Sequence, residues 1–350
     1  MSDRVITGEL SVRVSISGQS DIGECRRTAK RLGEACKWNE IDAGKSCIVA
    51  TELATNVLRH GGGGELLLQV LNDGVEPRLE MLAIDRGCGM QDVDRCLRDG
   101  YSTAGTPGTG LGAVSRLSST FDLYSVPGEG TVVLSRVGPS SAGSCAAAAV
   151  APAAAEEPVQ FGAICIALAG EIECGDIWQI AERGAALSLM VADGLGHGPM
   201  AATAARAAAQ AFLDRPFDDP SSILQSLHRG LAATRGAVAA CAQLHAPDAR
   251  VDYAGIGNIH GAIVGCERSR GMVSYNGTLG MQIPRFKQFA YDWPAGELLV
   301  MHSDGLSARW NLAEYPGLYT HHPAIIAAVM YRDLGRKRDD ATVVVVRHQS

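Results

Sequence analysis

VADGLGHGPMAAT, residues Val191 to Thr203, runs from an apolar stretch into Asp-Gly, through a glycine-rich turn, and on into alanine. The pattern predicts a buried strand, a turn and a helix, with Asp193 at the end of the strand. A carboxylate there, beside backbone that can come close to a ligand, is well placed to hold a hard cation, which prefers oxygen. Asp-Gly is equally a common turn dipeptide. Company tips the balance: Asp176 lies in ECGDIWQI, Asp304 in MHSDGLSA, and Asp339 with Asp340 in RKRDDATVVVV. Three of these four places abut an apolar run, and such runs seldom carry an acid without reason.

Around these acids, short strands are predicted at Phe161 to Ala169, Ile177 to Ala181, Ala185 to Ala192, Ala237 to Leu244, Arg250 to Ala254, Gly261 to Gly265, Leu298 to His302 and Ala341 to Arg347. Helical spacing occurs at Ala201 to Leu213, Ser222 to Ala233 and Pro323 to Tyr331. Mostly antiparallel strands flanked by a few helices imply an α-β-β-α sandwich. The stretch from Gly265 to Pro294 has few features that place it, and it is a natural site for substrate-recognising loops.

In their order the four acidic places resemble the SpoIIE-like branch of the metal-dependent PPM protein phosphatases, and most closely the compact RsbX type, over residues 159 to 348. The resemblance implies that Asp176, Asp193, Asp304 and Asp339 hold two Mn²⁺ or Mg²⁺ ions, with the Gly194 carbonyl as a further ligand. Asp340 either shares the role of Asp339 or only supports it. The chemistry agrees, because converging carboxylates repel one another unless cations neutralise them. Two ions about 3.5 to 4 Å apart activate a water and clamp an in-line displacement. His197, within the same turn, is assigned to organising it, since a hard oxygen site already has its ligands. Asn258 in GIGNIH is given no more than shaping the edge of the cleft.

The first 137 residues follow a different grammar. A strand is predicted at Thr7 to Ser17 and helices at Asp21 to Trp38 and about Ala43 to His60. Strands follow at Glu65 to Leu71 and Leu79 to Asp85, a short helix near Asp92 to Arg98, and a loop from Gly100 to Gly110. A helix at Leu111 to Leu117 and strands at Phe121 to Val126 and Thr131 to Val137 complete an α/β sandwich of one mixed sheet covered by helices. On the second helix Glu52 and Asn56 lie four apart and share a face. His60 is read as packing at the end of that helix.

ELATNVLRHGGGG, DRGCGM, DGYSTAGTPGTGLGAVSRL and PGEGTVV together resemble the RsbT type of serine protein kinase, a GHKL or Bergerat-fold family, across nearly all of residues 5 to 137. The resemblance implies that Asn56 binds the Mg²⁺ bridging the phosphates of ATP, that Asp85 takes the adenine amino group, and that Glu52 is the general base or positions a water. It places Gly87 and Gly89 after Asp85, Gly108, Gly110 and Gly112 at the phosphates, and Thr131 in support of the adenine pocket. Glycines let backbone N–H groups approach phosphate oxygens, and a helix N-terminus near Leu111 favours them. Phosphoryl transfer needs little beyond positioning and charge neutralisation.

Residues 138 to 158, GPSSAGSCAAAAVAPAAAEEP, are too small and too Pro-punctuated to build a core and read as a linker. The expected domains are therefore 1–137, 138–158 and 159–350. A formal net charge of −7, with no basic stripe, argues against nucleic acid as the partner. No apolar run reaches a membrane span, no secretory start is present, and the ten cysteines form no C-x-x-C pair, so a cytoplasmic protein is expected.

The expectation for function is a bifunctional serine/threonine kinase and metal-dependent phosphatase. By resemblance its targets are STAS-domain regulators in a bacterial stress or sigma-factor partner-switching pathway, in a stressosome-like assembly or an anti-sigma pathway. The alternative is a phosphatase regulated by an N-terminal module that binds ATP, or sequesters a partner as anti-sigma proteins do, without catalysis.

Overall fold

The computed structural model describes residues 4–8, 10–72, 76–97, 110–139, 159–266, 268–281 and 285–348. The chain forms two compact units, one from Met1–Leu10, Ala153–Tyr315 and His322–Ser350, the other from Ser11–Pro152 and Pro316–His321. The single strand expected over Thr7 to Ser17 is two strands, β1 (Arg4–Gly8) and β2 (Val12–Ile16), and they serve different units. Alternation of apolar residues continues through both, so periodicity by itself does not register the change of partner. Of the predicted linker, only Gly138 and Pro139 fall among the described residues.

The N-terminal unit continues with α1 (Gln19–Ala35), α2 (Glu40–His60), β3 (Gly64–Asn72), β4 (Arg78–Asp85), α3 (Val93–Leu97), α4 (Gly110–Leu117), β5 (Thr120–Val126) and β6 (Gly130–Val137). Helix α2 starts earlier than its apolar spacing predicts, because the Asn39 side chain accepts the Asp42 N–H at 2.9 Å and Glu40 and Asp42 favour the positive end of the helix. The strands join in the order β2-β3-β4-β6-β5, antiparallel throughout rather than mixed. One face, with Leu66, Leu68, Leu79 and Met81, packs against Val49, Leu53 and Val57 of α2.

On the opposite face the register aligns Gln69, Glu80 and Arg136 across three strands. Gln69 Nε2 donates to Glu80 Oε1 at 2.6 Å, and Arg136 Nε donates to Glu80 Oε2 at 2.7 Å. Glu80 is 1% exposed and Arg136 8%, so its removal breaks a buried charge pair. Glu80→Ala is expected to cost about 3 kcal/mol in a denaturant titration, whereas replacing Glu80 and Arg136 together by apolar residues costs much less. Equal losses for the two variants would show that the pair is not coupled.

The C-terminal unit adds β7 (Val159–Ile166), β8 (Asp176–Arg183), β9 (Ala186–Gly194), α5 (Pro199–Asp214), α6 (Pro220–Gly230), β10 (Ala237–His245), β11 (Arg250–Ile256), β12 (His260–Val264), β13 (Ser269–Gly271), β14 (Phe289–Asp292), β15 (Leu298–His302), α7 (Pro323–Leu334) and β16 (Ala341–His348). One antiparallel sheet runs β1-β8-β9-β10-β11-β14, with Ile6 of β1 opposite Ile180 of β8. The other runs β13-β12-β15-β16-β7. Helices α5 and α6 cover the first sheet through Ala204, Ala208, Phe212 and Leu224, and α7 covers β7 and β16 of the second. The α-β-β-α sandwich is therefore as expected. β13 and β14, unassigned from sequence, span three and four residues, too short for any period to register. Among the described residues no helix is long and apolar enough to cross a membrane.

Candidate active sites

In the C-terminal unit the register of two strands decides the placement of the acids. β8 and β9 pair so that Asp176 stands directly opposite Asp193. Loops that end neighbouring strands bring Asp304, two residues beyond β15, and Asp339, two residues before β16, to the same end of the sandwich. A cleft of about 370 Å³ opens there, lined by Asp193, Asp304 and Asp339 together with Gly196, Asn258 and Asn276. Asp176 lies behind, 4% exposed, and its Oδ2 accepts a hydrogen bond of 2.6 Å from Ser303 Oγ. Ser303 is itself fully buried and accepts the Thr342 N–H at 3.0 Å.

The two alternatives for Asp340 separate here. Its Oδ1 accepts the Leu168 N–H and its Oδ2 the Gly175 N–H, both at 2.7 Å, and it is 2% exposed. Asp340 thus pins the loop that delivers Asp176, while Asp339 faces the cleft. Gly194 ends β9 with helix α5 so close that a Cβ there would lie 2.3 Å from the Ala201 carbonyl oxygen. His197 is tied to the β7–β8 loop, its Nδ1 2.8 Å from Glu171 Oε1.

Burial, and then the negative charges of Asp176, Asp304 and Asp339, push Asp193 up to about 9. Burial likewise raises Asp176, against the opposing hydrogen bond from Ser303. Burial and Asp339 raise Asp304, offset in part by the positive charge of Arg336 and the hydrogen bond from Asn258. Among the described residues no three of these side chains are drawn together into a ready-made metal cage. The donor set fits divalent cations of the hard class: it is all oxygen, and its surplus negative charge lies in a partly buried cleft.

Asn258 does more than shape an edge. Its Nδ2 donates to Asp304 Oδ2 at 2.7 Å and orients that carboxylate. Ser303 does the same for Asp176, and neither role was predicted, because each depends on a partner 46 or 127 residues away. Asn258→Ala is expected to weaken Mn²⁺ binding by roughly 10- to 100-fold in a calorimetric titration, with the fold intact. Unchanged affinity would show that Asp304 needs no such support.

In the N-terminal unit, Glu52 and Asn56 project from one face of α2 toward the start of α4. A Cβ at Gly110, the first residue of α4, would lie 3.1 Å from Glu52 Oε2 and 3.8 Å from the Asn56 amide atoms. Among the described residues Asn56 Nδ2 is buried with no hydrogen-bond partner, an unmet donor that a phosphate oxygen would satisfy. Asp85 ends β4, and its Oδ1 accepts the N–H groups of Gly87 at 2.8 Å and Thr131 at 3.2 Å. Gly87 lies where a Cβ would meet the His60 carbonyl oxygen at 2.6 Å, and Gly89 turns through φ +64. Thr131 Oγ1 is 2.9 Å from Ser125 Oγ, which accepts the Met90 N–H. Gly112 is buried within α4. Gly108 and the rest of the Tyr101 to Thr109 loop lie outside the described residues. These residues fit a nucleotide, with an orphaned buried amide and a side-chain-free helix start meeting at Glu52.

Known proteins share both halves. The family described as Stage II sporulation protein E (SpoIIE) matches residues 183–349. Serine/threonine-protein kinase RsbT of Bacillus subtilis (strain 168) is 32% identical over 120 residues, 34% of this chain and 90% of that protein. A chain from a structure described as "The bacterial stressosome: a modular system that has been adapted to control secondary messenger signaling" is 31% identical, with a TM-score of 0.51, over 55% of this chain and all of that one. A structure of RsbX in complex with magnesium is 21% identical, with a TM-score of 0.46, over 54% of this chain and 94% of that one. The chain therefore belongs, through its N-terminal unit, to the RsbT family of serine/threonine-protein kinases, and its residues 183–349 match the SpoIIE family.

Proposed function

We propose that the chain is a bifunctional switch enzyme, phosphorylating serine or threonine in one protein regulator and removing phosphate from a phosphoserine or phosphothreonine protein. The observation that carries this reading is the coexistence of two fitted sites: the unpaired Asn56 amide beside Glu52, and three carboxylates on one cleft backed by Asp176. In the kinase half, Asn56 meets the charge of the nucleotide phosphates, Asp85 is held by Gly87 and Thr131 to receive the base, and Glu52 takes or orients the proton of the acceptor hydroxyl. The start of α4 presents backbone N–H groups to phosphate oxygens.

In the phosphatase half, Asp176, Asp193, Asp304 and Asp339 would hold two Mn²⁺ or Mg²⁺ ions, with the Gly194 carbonyl as a further ligand. When bound, such ions supply positive charge for water activation and for the transferring phosphoryl group. Asn258 and Ser303 fix two of the carboxylates, and Asp340 holds the loop in front of β8. By likeness to RsbT, and to a chain from a stressosome structure, the proposed partners are STAS-domain proteins of a stress-signalling assembly in the cytoplasm.

Opposed activities on one residue would hydrolyse ATP to no effect. The two halves are therefore expected to act on different residues or partners, or in mutually exclusive states. The test is incubation of the full chain with a STAS-domain partner and labelled ATP, with Mg²⁺ first and Mn²⁺ added later. Label that appears and then leaves supports both activities. Label that never enters the partner, with ATP still bound, favours a regulatory N-terminal module.

A further inference from the structure

The carboxylate cleft has positively charged side chains near it as well as acids. Arg336 acts on Asp304, whose negative charge it offsets. Arg235 lies over Gly196, which lines the cleft: a Cβ on Gly196 would come within 3.3 Å of Arg235 Nη1. Gly196 is at φ +84, so the missing side chain serves both the turn and the approach of the guanidinium. Arg235 is exposed and has no hydrogen-bond or ion-pair partner among the described residues. An arginine at the mouth of an acidic cleft, with no acid bound to it, is free for an incoming anion.

Its backbone is held in place. Thr234 Oγ1 donates to the Leu231 carbonyl at 2.8 Å and accepts the Gly236 N–H at 3.0 Å, closing the turn that contains Arg235. The Gly236 carbonyl accepts the Leu195 N–H at 3.1 Å, which locks this turn to the Asp193–Gly196 turn. On the other side Ala237 and Leu279 exchange hydrogen bonds of 3.2 and 2.8 Å, fastening the same turn to the segment that supplies Asn276 to the cleft wall. The base of the side chain is thus pre-positioned, and ordering it on a ligand costs less than ordering a free surface arginine.

We propose that Arg235 is a phosphoryl-binding residue, its guanidinium taking two non-bridging oxygens of a phosphoserine or phosphothreonine substrate, or of the inorganic phosphate released, at the mouth of the cleft. This rests on the phosphatase reading of the cleft. A planar fork of N–H donors matches two phosphate oxygens, and its positive charge offsets the repulsion that the aspartates impose on a dianion.

The test is calorimetric titration of inorganic phosphate into the Mn²⁺-loaded full chain. Arg235→Ala is expected to weaken phosphate binding about tenfold or more, with Mn²⁺ affinity and the unfolding midpoint unchanged. Arg235→Lys should fall between, since it keeps the charge and loses the fork. Equal phosphate affinity in wild type and Arg235→Ala, no phosphate binding by the wild type, or a parallel loss of Mn²⁺ affinity would each overturn the assignment. Hydrolysis of para-nitrophenyl phosphate, followed in the same samples, separates this from the enzymatic reading. Arg235-dependent phosphate binding without Mn²⁺-dependent turnover sinks the phosphatase and leaves the anion subsite standing.

Discussion

Asp193→Asn is expected to lower Mn²⁺-dependent hydrolysis of a phosphoserine protein by at least about 10³-fold, because several kcal/mol of transition-state charge stabilisation pass through the cations that this cleft is proposed to hold. The substitution keeps shape and removes one ionisable carboxyl. Asp193 faces Asp176 across the β8–β9 pair and lines the cleft with Asp304 and Asp339, so its charge is both the most crowded and the most central. Removing the acid ends the cost of burying it among the other carboxylates. The variant is therefore expected to be as stable as the wild type in chelator, or more so, while its turnover disappears.

The pH dependence gives the sign. An aspartate ordinarily ionises near 3.8, and Asp193 is pushed up to about 9 in the folded chain. A folded value raised above the unfolded one contributes stability that is complete below the unfolded value and lost as pH rises through the folded one. In chelator, the wild type should therefore lose stability between about pH 4 and pH 9. The Asn variant should lose less over that window. Denaturant midpoints at pH 5 and pH 8 check this, and parallel behaviour of the two proteins would remove Asp193 from the centre of the cluster. Because cations bind the ionised carboxylates, Mn²⁺ loading should release protons and weaken as pH falls.

The second large effect is expected at α2. Glu52→Gln should retain ATP binding and lower phosphate transfer to a STAS partner by roughly 10²- to 10⁴-fold, the usual range for a positioned general base. Asn56→Ala should instead lose Mg²⁺-dependent nucleotide binding, since it removes the amide oxygen proposed for the cation together with a buried Nδ2 that has no partner among the described residues. The two side chains are one turn apart on the same helix and both approach Gly110, so the contrast between their phenotypes separates chemistry from binding. Transfer that survives Glu52→Gln unchanged would take catalysis away from this residue. ATP binding without transfer in the wild type would leave the N-terminal unit a regulatory module.

The candidate aspartates were legible in sequence because acids at the edges of apolar runs are costly and stand out. Asp176, Asp193, Asp304 and Asp339 each stand at or beside a strand end, and the Glu52–Asn56 spacing follows from the helical repeat alone. Elements with long periodic patterns, such as α2, α5 and β16, were equally readable. Two kinds of feature were not. Short or partner-dependent strands gave no periodic signal: β1 and β2 merged into one run, and β13 and β14 disappeared. Residues whose task is to hold another residue were underrated, as with Asn258 on Asp304, or unseen, as with Ser303 on Asp176.

By itself the sequence determined the chemistry available: hard oxygen donors at strand ends, a carboxylate and an amide on one helix face, and two stretches of distinct hydrophobic grammar. Those properties are local and follow from residue type and period. Only the tertiary structure decided which acid faces the cleft and which is spent on backbone, as the contrast of Asp339 with Asp340 shows. It also decided that Asp176 sits opposite Asp193, that the Asn56 amide lacks a partner, and that Arg235 comes to rest over Gly196. The reason is physical: strand register, burial and the pairing of polar groups depend on contacts between residues far apart in the chain, and no local pattern encodes them.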